Sequence, residues 1–423
     1  MRGFSKKSGE NKLHHNLIAN YIAAIVNVVM PVVMLPLYLR VLGLEQWGAI
    51  AVAFLTQSLL AIIDSGLAQA FTREFSAKSK ELLILNKIYT TSTIINIGLV
   101  CISALGAWVF ISIYDRIYPI EDQLKHDAWI YGVLIFSAAS ISTVSKSLLI
   151  AIDRQILVSV LGLISTISRH AIAFLALQYD DTVQTFFICH GVIFGLESLV
   201  RFLITHRILS PEKYIFDVAT YNEIKAFLFG MVSSVILGAL SFNLERLIVS
   251  SMVSLKEFGA YSIAVMLGTG VLQLVYPLTQ ALLPRLMNKN RIDSIRLIKN
   301  FSLFAVFALS LCWMLFLTYG HTILSLYIKS EEVLNTVFPL LTIYLVGSSL
   351  NFIWNIAQLI VMKEGSHKVV LKTNVINLIV VGMLTPILVN NFGLSSVAYV
   401  SVIANVVGVA IACRFAIASL RNA

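Results

Sequence analysis

Seven ionisable side chains stand inside otherwise apolar stretches of this chain: Asp64, Lys146, Arg169, Glu197, Arg201, Glu245 and Arg246. Arginine presents a planar fork of donors that grips an oxyanion at two points, and lysine a compact point charge. A carboxylate held away from water can take up and release a proton. Placing any of them in an apolar stretch costs about 2.5–3.5 kcal/mol on insertion scales, so each calls for a reason. Glu197 and Arg201 are one helical turn apart and can neutralise each other. Lys146 and Arg169 have no carboxylate within their own stretch. Lys146 either snorkels toward a headgroup layer or faces a cavity, and Arg169 either ties to a carboxylate such as Glu197 or lines that cavity. Glu245 and Arg246 are adjacent and point about 100° apart on a helix, which turns one of them inward. Asp64 is isolated and is the leading candidate for ion exchange, with a helix–helix hydrogen bond as its alternative.

The elements that carry these groups follow from composition. Hydrophobic residues make up 58% of the 423 and charged residues 13%. Apolar runs of about twenty residues return from end to end, and in a bilayer such runs must close their backbone hydrogen bonds as helices. Twelve spans are expected, at 16–38, 47–71, 88–113, 129–151, 156–178, 184–205, 224–249, 258–282, 299–319, 334–362, 370–390 and 396–418. The fold class is an all-α polytopic membrane protein with a cytoplasmic tail (1–15), an N-terminal six-helix lobe (16–210), a cytoplasmic linker (211–223) and a C-terminal six-helix lobe (224–423). The first span lacks a small-residue cleavage site and reads as a retained anchor.

A net charge of +9 invites a nucleic-acid partner, but its placement argues otherwise. With the N-terminus inside, nineteen lysines and arginines fall on the cytoplasmic side, from Arg2 to Arg421. Five (Arg40, Arg116, Lys125, Lys256 and Lys329) fall outside. That bias sets topology, with both termini cytoplasmic. Cys101, Cys189, Cys312 and Cys413 lie within spans without metal or redox spacing, and the histidines form no recognisable constellation. No cofactor or metal is expected. An enzyme would need a polar segment bearing acids or nucleophiles, whereas the outer segments near 114–128 and 320–333 are short and Asp180-Asp181 is a bare acidic turn.

The chain also repeats itself. "GLEQWGAIAVA" at 43–53 returns as "SLKEFGAYSIA" at 254–264, pairing Trp47 with Phe258, Gly48 with Gly259 and Ala53 with Ala264. The same register carries "GLAQAFTREF" onto "PLTQALLPRL". The offset of 211 residues contains six spans, an even number, so the two copies enter the membrane from the same side. Two six-helix lobes in a parallel repeat that rock about a midplane site make a transporter. Pro31 and Pro36 in the first span, and Pro277 and Pro284 in the eighth, are candidate hinges. The amides of Asn351 and Asn355, and of Asn374 and Asn377, are candidates for sugar contacts or for holding helices together.

The segments "PLYLRVLGLEQWG" and "YPLTQALLPRL" resemble the O-antigen and polysaccharide-unit flippases (Wzx-type), whose superfamily includes the multidrug and toxin extrusion (MATE) antiporters. That resemblance implies a MATE-like fold in a bacterial inner membrane. It further implies outward transfer of an undecaprenyl-diphosphate-linked oligosaccharide, coupled to a proton or sodium gradient, alongside a polysaccharide polymerase and a chain-length regulator. For such a cargo the expected diphosphate contacts are Arg169, Lys146, Arg201 and Arg246, and the expected ion-coupling groups are Asp64, Glu197 and Glu245. Membrane potential alone would favour export by about 2.3 kcal/mol per charge for each 100 mV. A proton- or sodium-coupled antiporter of small molecules is the competing reading. Isolated cations at Lys146 and Arg169 favour anionic cargo over it.

Overall fold

A computed structural model of the chain describes residues 6–77, 82–117, 123–211, 216–287, 291–363 and 367–421, and these are helical apart from short turns. The helices are α1 (Lys6–Ala77), α2 (Leu82–Ile117), α3 (Gln123–Ser140), α4 (Thr143–Ala151), α5 (Gln155–Ala176), α6 (Val183–Leu209), α7 (Val218–Met252), α8 (Leu255–Met287), α9 (Arg291–Tyr327), α10 (Glu331–Lys363), α11 (His367–Phe392) and α12 (Ala398–Arg421). The chain divides into two compact units, Met1–Ala239 and Leu240–Ala423.

Helix α1 holds two crossings. Its apolar part, Ile18–Ala77, runs for 60 residues. A straight helix of that length would measure about 90 Å, three times the roughly 30 Å of a hydrocarbon core. The backbone breaks at Gly43, where φ is 77° and ψ 179°. A side chain there would be strained, so glycine ends the first pass. The equivalent place in the repeat, residue 254, lies in the short gap between α7 and α8. Trp47, Gly48 and Ala49 are buried, as are their counterparts Phe258, Gly259 and Ala260. Each aromatic ring therefore packs inside its own unit. Nine stretches of the described residues are long and apolar enough to cross a membrane, the one in α1 long enough for two passes. With α3 and α4 as one broken pass, α7 and α8 bring the helical passes to twelve.

Span four, expected as one helix over 129–151, is interrupted at Ile141 and Ser142. Hydrogen-bonding side chains account for the break. Ser198 Oγ donates to the Ala138 carbonyl at 2.7 Å, Asn96 Nδ2 to the Ser140 carbonyl at 2.9 Å, and Ser142 Oγ to the Ala139 carbonyl at 3.3 Å. Carbonyls that would otherwise be unpaired in a dry interior are thereby satisfied. A buried hydroxyl cluster ties α4 to its neighbours: Tyr89 Oη lies 2.8 Å from Thr205 Oγ1 and 3.1 Å from Ser145 Oγ. Around it pack Phe71, Phe75, Ile88, Leu148 and Leu209.

Each unit draws a helix pair together through a glycine. A Cβ on Gly132 of α3 would run into the Ala53 carbonyl of α1. In the second unit a Cβ on Gly268 of α8 would come within 2.7 Å of the Tyr344 Cβ of α10, and Ser348 Oγ donates to the Gly268 carbonyl at 2.8 Å. Small residues that let backbones approach are the usual means of packing helices in lipid. Gly132→Val is expected to destabilise the first unit by about 1–3 kcal/mol through overpacking, read as a lower melting temperature of the detergent-purified protein. Large apolar residues elsewhere face outward, as on α9 with Leu303, Phe304, Phe307, Met314 and Leu317, which suits contact with acyl chains. Pro31 and Pro36 lie inside α1. Pro277 and Pro284, like Cys413, fall outside the residues whose side chains are described.

Candidate functional site

Residues of the first unit line an open-mouthed cavity of about 550 Å³, within the range that holds small ligands. Asp64, Lys146, Arg169, Glu197 and Arg201 all line it. Five groups scattered over 138 positions are thus brought to one place by α1, α4, α5 and α6.

Glu197 and Arg201 form the expected turn-to-turn ion pair, with side chains only 10% and 9% exposed. Arg201 Nη1 also reaches Ser142 Oγ, at 3.5 Å, beside the break in span four. Its Nε has no partner among the described residues. Asp64 faces the same break: Thr143 Oγ1 donates to its carboxylate at 2.5 Å. The helix–helix hydrogen bond held open as an alternative for Asp64 is therefore present, and it fixes the first residue of α4. Lys146 stands one turn further on, its backbone N–H donating to the Ser142 carbonyl at 2.8 Å. Its ammonium opens onto the cavity and forms no ion pair within 4.0 Å among the described residues.

Arg169 makes no ion pair within 4.0 Å among the described residues, and Glu197 is paired with Arg201. Its guanidinium lies 4.0 Å from the centre of the Phe194 ring, and Nη2 donates to Thr166 Oγ1 at 2.9 Å. The Nε atom is buried without a partner among the described residues. The guanidinium is thus braced on an aromatic face, with no carboxylate in ion-pair reach among the described residues. Three cations against two carboxylates leave the cavity one positive charge in excess.

Behind Arg169 lies a buried aromatic cluster that the sequence did not reveal. Tyr38 Oη is 2.9 Å from His170 Nδ1, the rings of His170 and His190 are 5.4 Å apart, and His190 stacks on Phe186 at 4.0 Å. Two histidines that look scattered in the sequence are thus neighbours. Among the described residues no three metal-ligating side chains converge.

The sequence reading also missed a polar ladder along one wall. Asn20 and Asn27 of α1 face Ser159 and Thr166 of α5, each pair seven residues apart. Ser159 Oγ donates to Asn20 Oδ1 and Thr166 Oγ1 to Asn27 Oδ1, both at 2.5 Å, while Asn20 Nδ2 donates to Gln155 Oε1 at 3.2 Å. Gln155, Gly162 and Arg169 share that seven-residue period, which keeps all three on one face.

The remaining candidates lie in the second unit and do not line this cavity. Glu245 accepts a hydrogen bond from Tyr261 Oη at 3.0 Å and another from Tyr344 Oη. Arg246 follows it on α7. Asn355 Nδ2 donates to Asn351, Asn351 Nδ2 to Asn405 at 2.8 Å, and Asn405 Nδ2 to the Ser401 carbonyl. This chain of amides clasps α10 to α12, so those of Asn351 and Asn355 are engaged within the protein.

Residues 13–289 match the model of a family described as polysaccharide biosynthesis protein. No curated protein sequence matches the chain. Among solved structures, it is similar to the lipid II flippase MurJ in an inward closed conformation, with 16% identity, a TM-score of 0.68, and coverage of 94% of this chain and 86% of that one. It is also similar to an inward-facing multidrug resistance MATE transporter, at 14% identity and a TM-score of 0.67 over 96% of this chain and 99% of the other. A third similar structure is the MATE transporter VcmN of Vibrio cholerae, at 14% identity, TM-score 0.62, and 96% and 99% coverage. At these identities the likeness establishes the fold, a MATE-like membrane bundle. The proteins that share it are transporters and a flippase, not catalysts.

Proposed function

The chain belongs to the polysaccharide biosynthesis protein family, and we propose that within it this protein is a flippase for an oligosaccharide carried on undecaprenyl diphosphate. The observation that carries this reading is the net positive lining of the first-unit cavity, where Lys146 and Arg169 make no direct ion pair with a carboxylate among the described residues. A diphosphate leaving water needs such partners, because burying an unpaired charge is far more costly than burying a hydroxyl. Arg169 supplies the fork, Lys146 the point charge, and Arg201, half-committed to Glu197, a further donor. The lipid tail stays in the bilayer while the head is held by protein.

Transfer runs from the inner to the outer leaflet of a bacterial cytoplasmic membrane, with both termini in the cytoplasm as the positive-inside bias implies. A proton or sodium gradient assists it, with Asp64 exchanging the ion at the break in span four and Glu245 acting in the second unit. Arg246 adds a cation there. The exported unit passes to a polymerase and its chain-length regulator.

The experiment that tests this reading reconstitutes the protein in proteoliposomes and offers two cargoes. Translocation of an undecaprenyl-diphosphate-linked oligosaccharide, with no movement of a cationic dye such as ethidium, is the expected result. Dye transport without lipid transfer would instead establish the antiporter reading.

A further inference from the structure

We propose that the wall of Asn20, Asn27 and Gln155 is a separate, uncharged subsite that binds the acceptor oxygens of a sugar headgroup, next to the cationic end of the same cavity. The inference rests on the flippase reading above and adds to it where the sugar lies.

Hydrogen-bond accounting carries it. The amide oxygens of this wall are already used: Asn20 Oδ1 by Ser159, Gln155 Oε1 by Asn20, and Asn27 Oδ1 by Thr166. Asn20 Nδ2 uses one N–H on that bond to Gln155, but the nitrogens of Gln155 and Asn27 are unused. Neither Gln155 Nε2 nor Asn27 Nδ2 has a hydrogen-bond partner among the described residues, and both residues line the cavity. The protein thus fixes each amide by its oxygen and presents its N–H groups to the ligand. Seven residues separate Asn20 from Asn27, about 10 Å along a helix, so the donors stand at two levels. Between them the lining includes the small residues Ala23, Ala24 and Gly162, which leave open space along the wall. A Cβ on Gly162 would lie 3.8 Å from Arg201 Nη2, so space and charge meet there.

The chemistry of this end is neutral. Fixed amide donors suit hydroxyl, ring and carbonyl oxygens of a glycan, which must replace their hydrogen bonds to water when they enter the cavity. They contribute no net charge, so compensation of the diphosphate's charge falls to the cationic end. Arg169 sits at the join, sharing Thr166 with Asn27.

Binding to the purified full chain in nanodiscs separates the two ends. The probes are undecaprenyl diphosphate and an undecaprenyl-diphosphate-linked oligosaccharide. Asn27→Ala, and separately the double variant Asn20→Ala with Gln155→Met, are each expected to weaken the glycosylated lipid about three- to tenfold, the worth of one or two neutral hydrogen bonds. Binding of undecaprenyl diphosphate should stay within about twofold. Equal losses on both lipids, or no loss on either, would overturn the subsite. The double variant leaves Arg169 and Thr166 untouched and decides the matter even if Asn27→Ala misfolds. Failure of the diphosphate reading has a different signature, since Arg169→Ala would then leave undecaprenyl diphosphate binding unchanged.

Discussion

Replacing Arg169 with alanine is expected to abolish surface polysaccharide while the protein still reaches the membrane at normal abundance. The structure explains why these two outcomes separate. Arg169 makes no ion pair with a carboxylate among the described residues, so its removal breaks no ion pair there, and Glu197 keeps its own partner in Arg201. Thr166 retains its acceptor on Asn27. What is lost is the guanidinium over Phe194 and its contacts to an oxyanion. Two charge-assisted hydrogen bonds at about 1.5–3 kcal/mol each amount to at least a hundredfold in affinity. Arg169→Lys keeps the charge but not the fork, and should restore only part of export. Surface polysaccharide staining, read against a membrane immunoblot, measures both quantities. Full display by the alanine variant would remove Arg169 from the site.

Asp64→Asn is expected to uncouple transport from the ion gradient without unfolding the joint it holds. Asparagine keeps an oxygen where Thr143 Oγ1 donates, so the start of α4 stays fixed and only the titratable charge disappears. A gradient equivalent to 100 mV on one charge is worth about 2.3 kcal/mol, roughly fifty-fold in accumulation. The variant in vesicles should show none of that gain when a proton or sodium gradient is imposed. Retention of the wild-type ion dependence would eliminate Asp64 as the coupling group and leave it the hydrogen-bonding role alone. Asp64→Ala is a useful contrast, because it also removes the acceptor and should disturb Lys146, one turn beyond Thr143.

Much of this was legible in the chain itself, for reasons that differ from residue to residue. Apolar runs fixed the crossings, since hydrocarbon leaves the backbone no alternative to the helix. Asp64, Lys146, Arg169, Glu197 and Arg201 stood out because a charge in such a run needs a reason, and one cavity collects all five. What charge does not mark was harder to see. Asn20, Asn27, Ser159 and Thr166 carry none, and only their seven-residue spacing, two turns of helix, signals a shared face. The break at Ile141 and Ser142 was hidden because serine and threonine are tolerated inside helices. It depends on Asn96 and Ser198, which come from α2 and α6. Glu245 shows the same limit: Tyr261 and Tyr344, which hold it, lie 16 and 99 positions away, and spacing alone does not pair them.

The most direct measurement uses a chain with its native cysteines replaced by serine and one reporter thiol at Gly162, where an added Cβ meets nothing closer than Arg201 Nη2 at 3.8 Å. Its rate of alkylation by a polar maleimide is followed with undecaprenyl diphosphate or with uncharged undecaprenol. Strong protection by the diphosphate lipid, little by the alcohol, and loss of that protection on adding Arg169→Ala is the predicted pattern. Equal protection by the two lipids, or none by either, would contradict a diphosphate-binding cavity in the first unit.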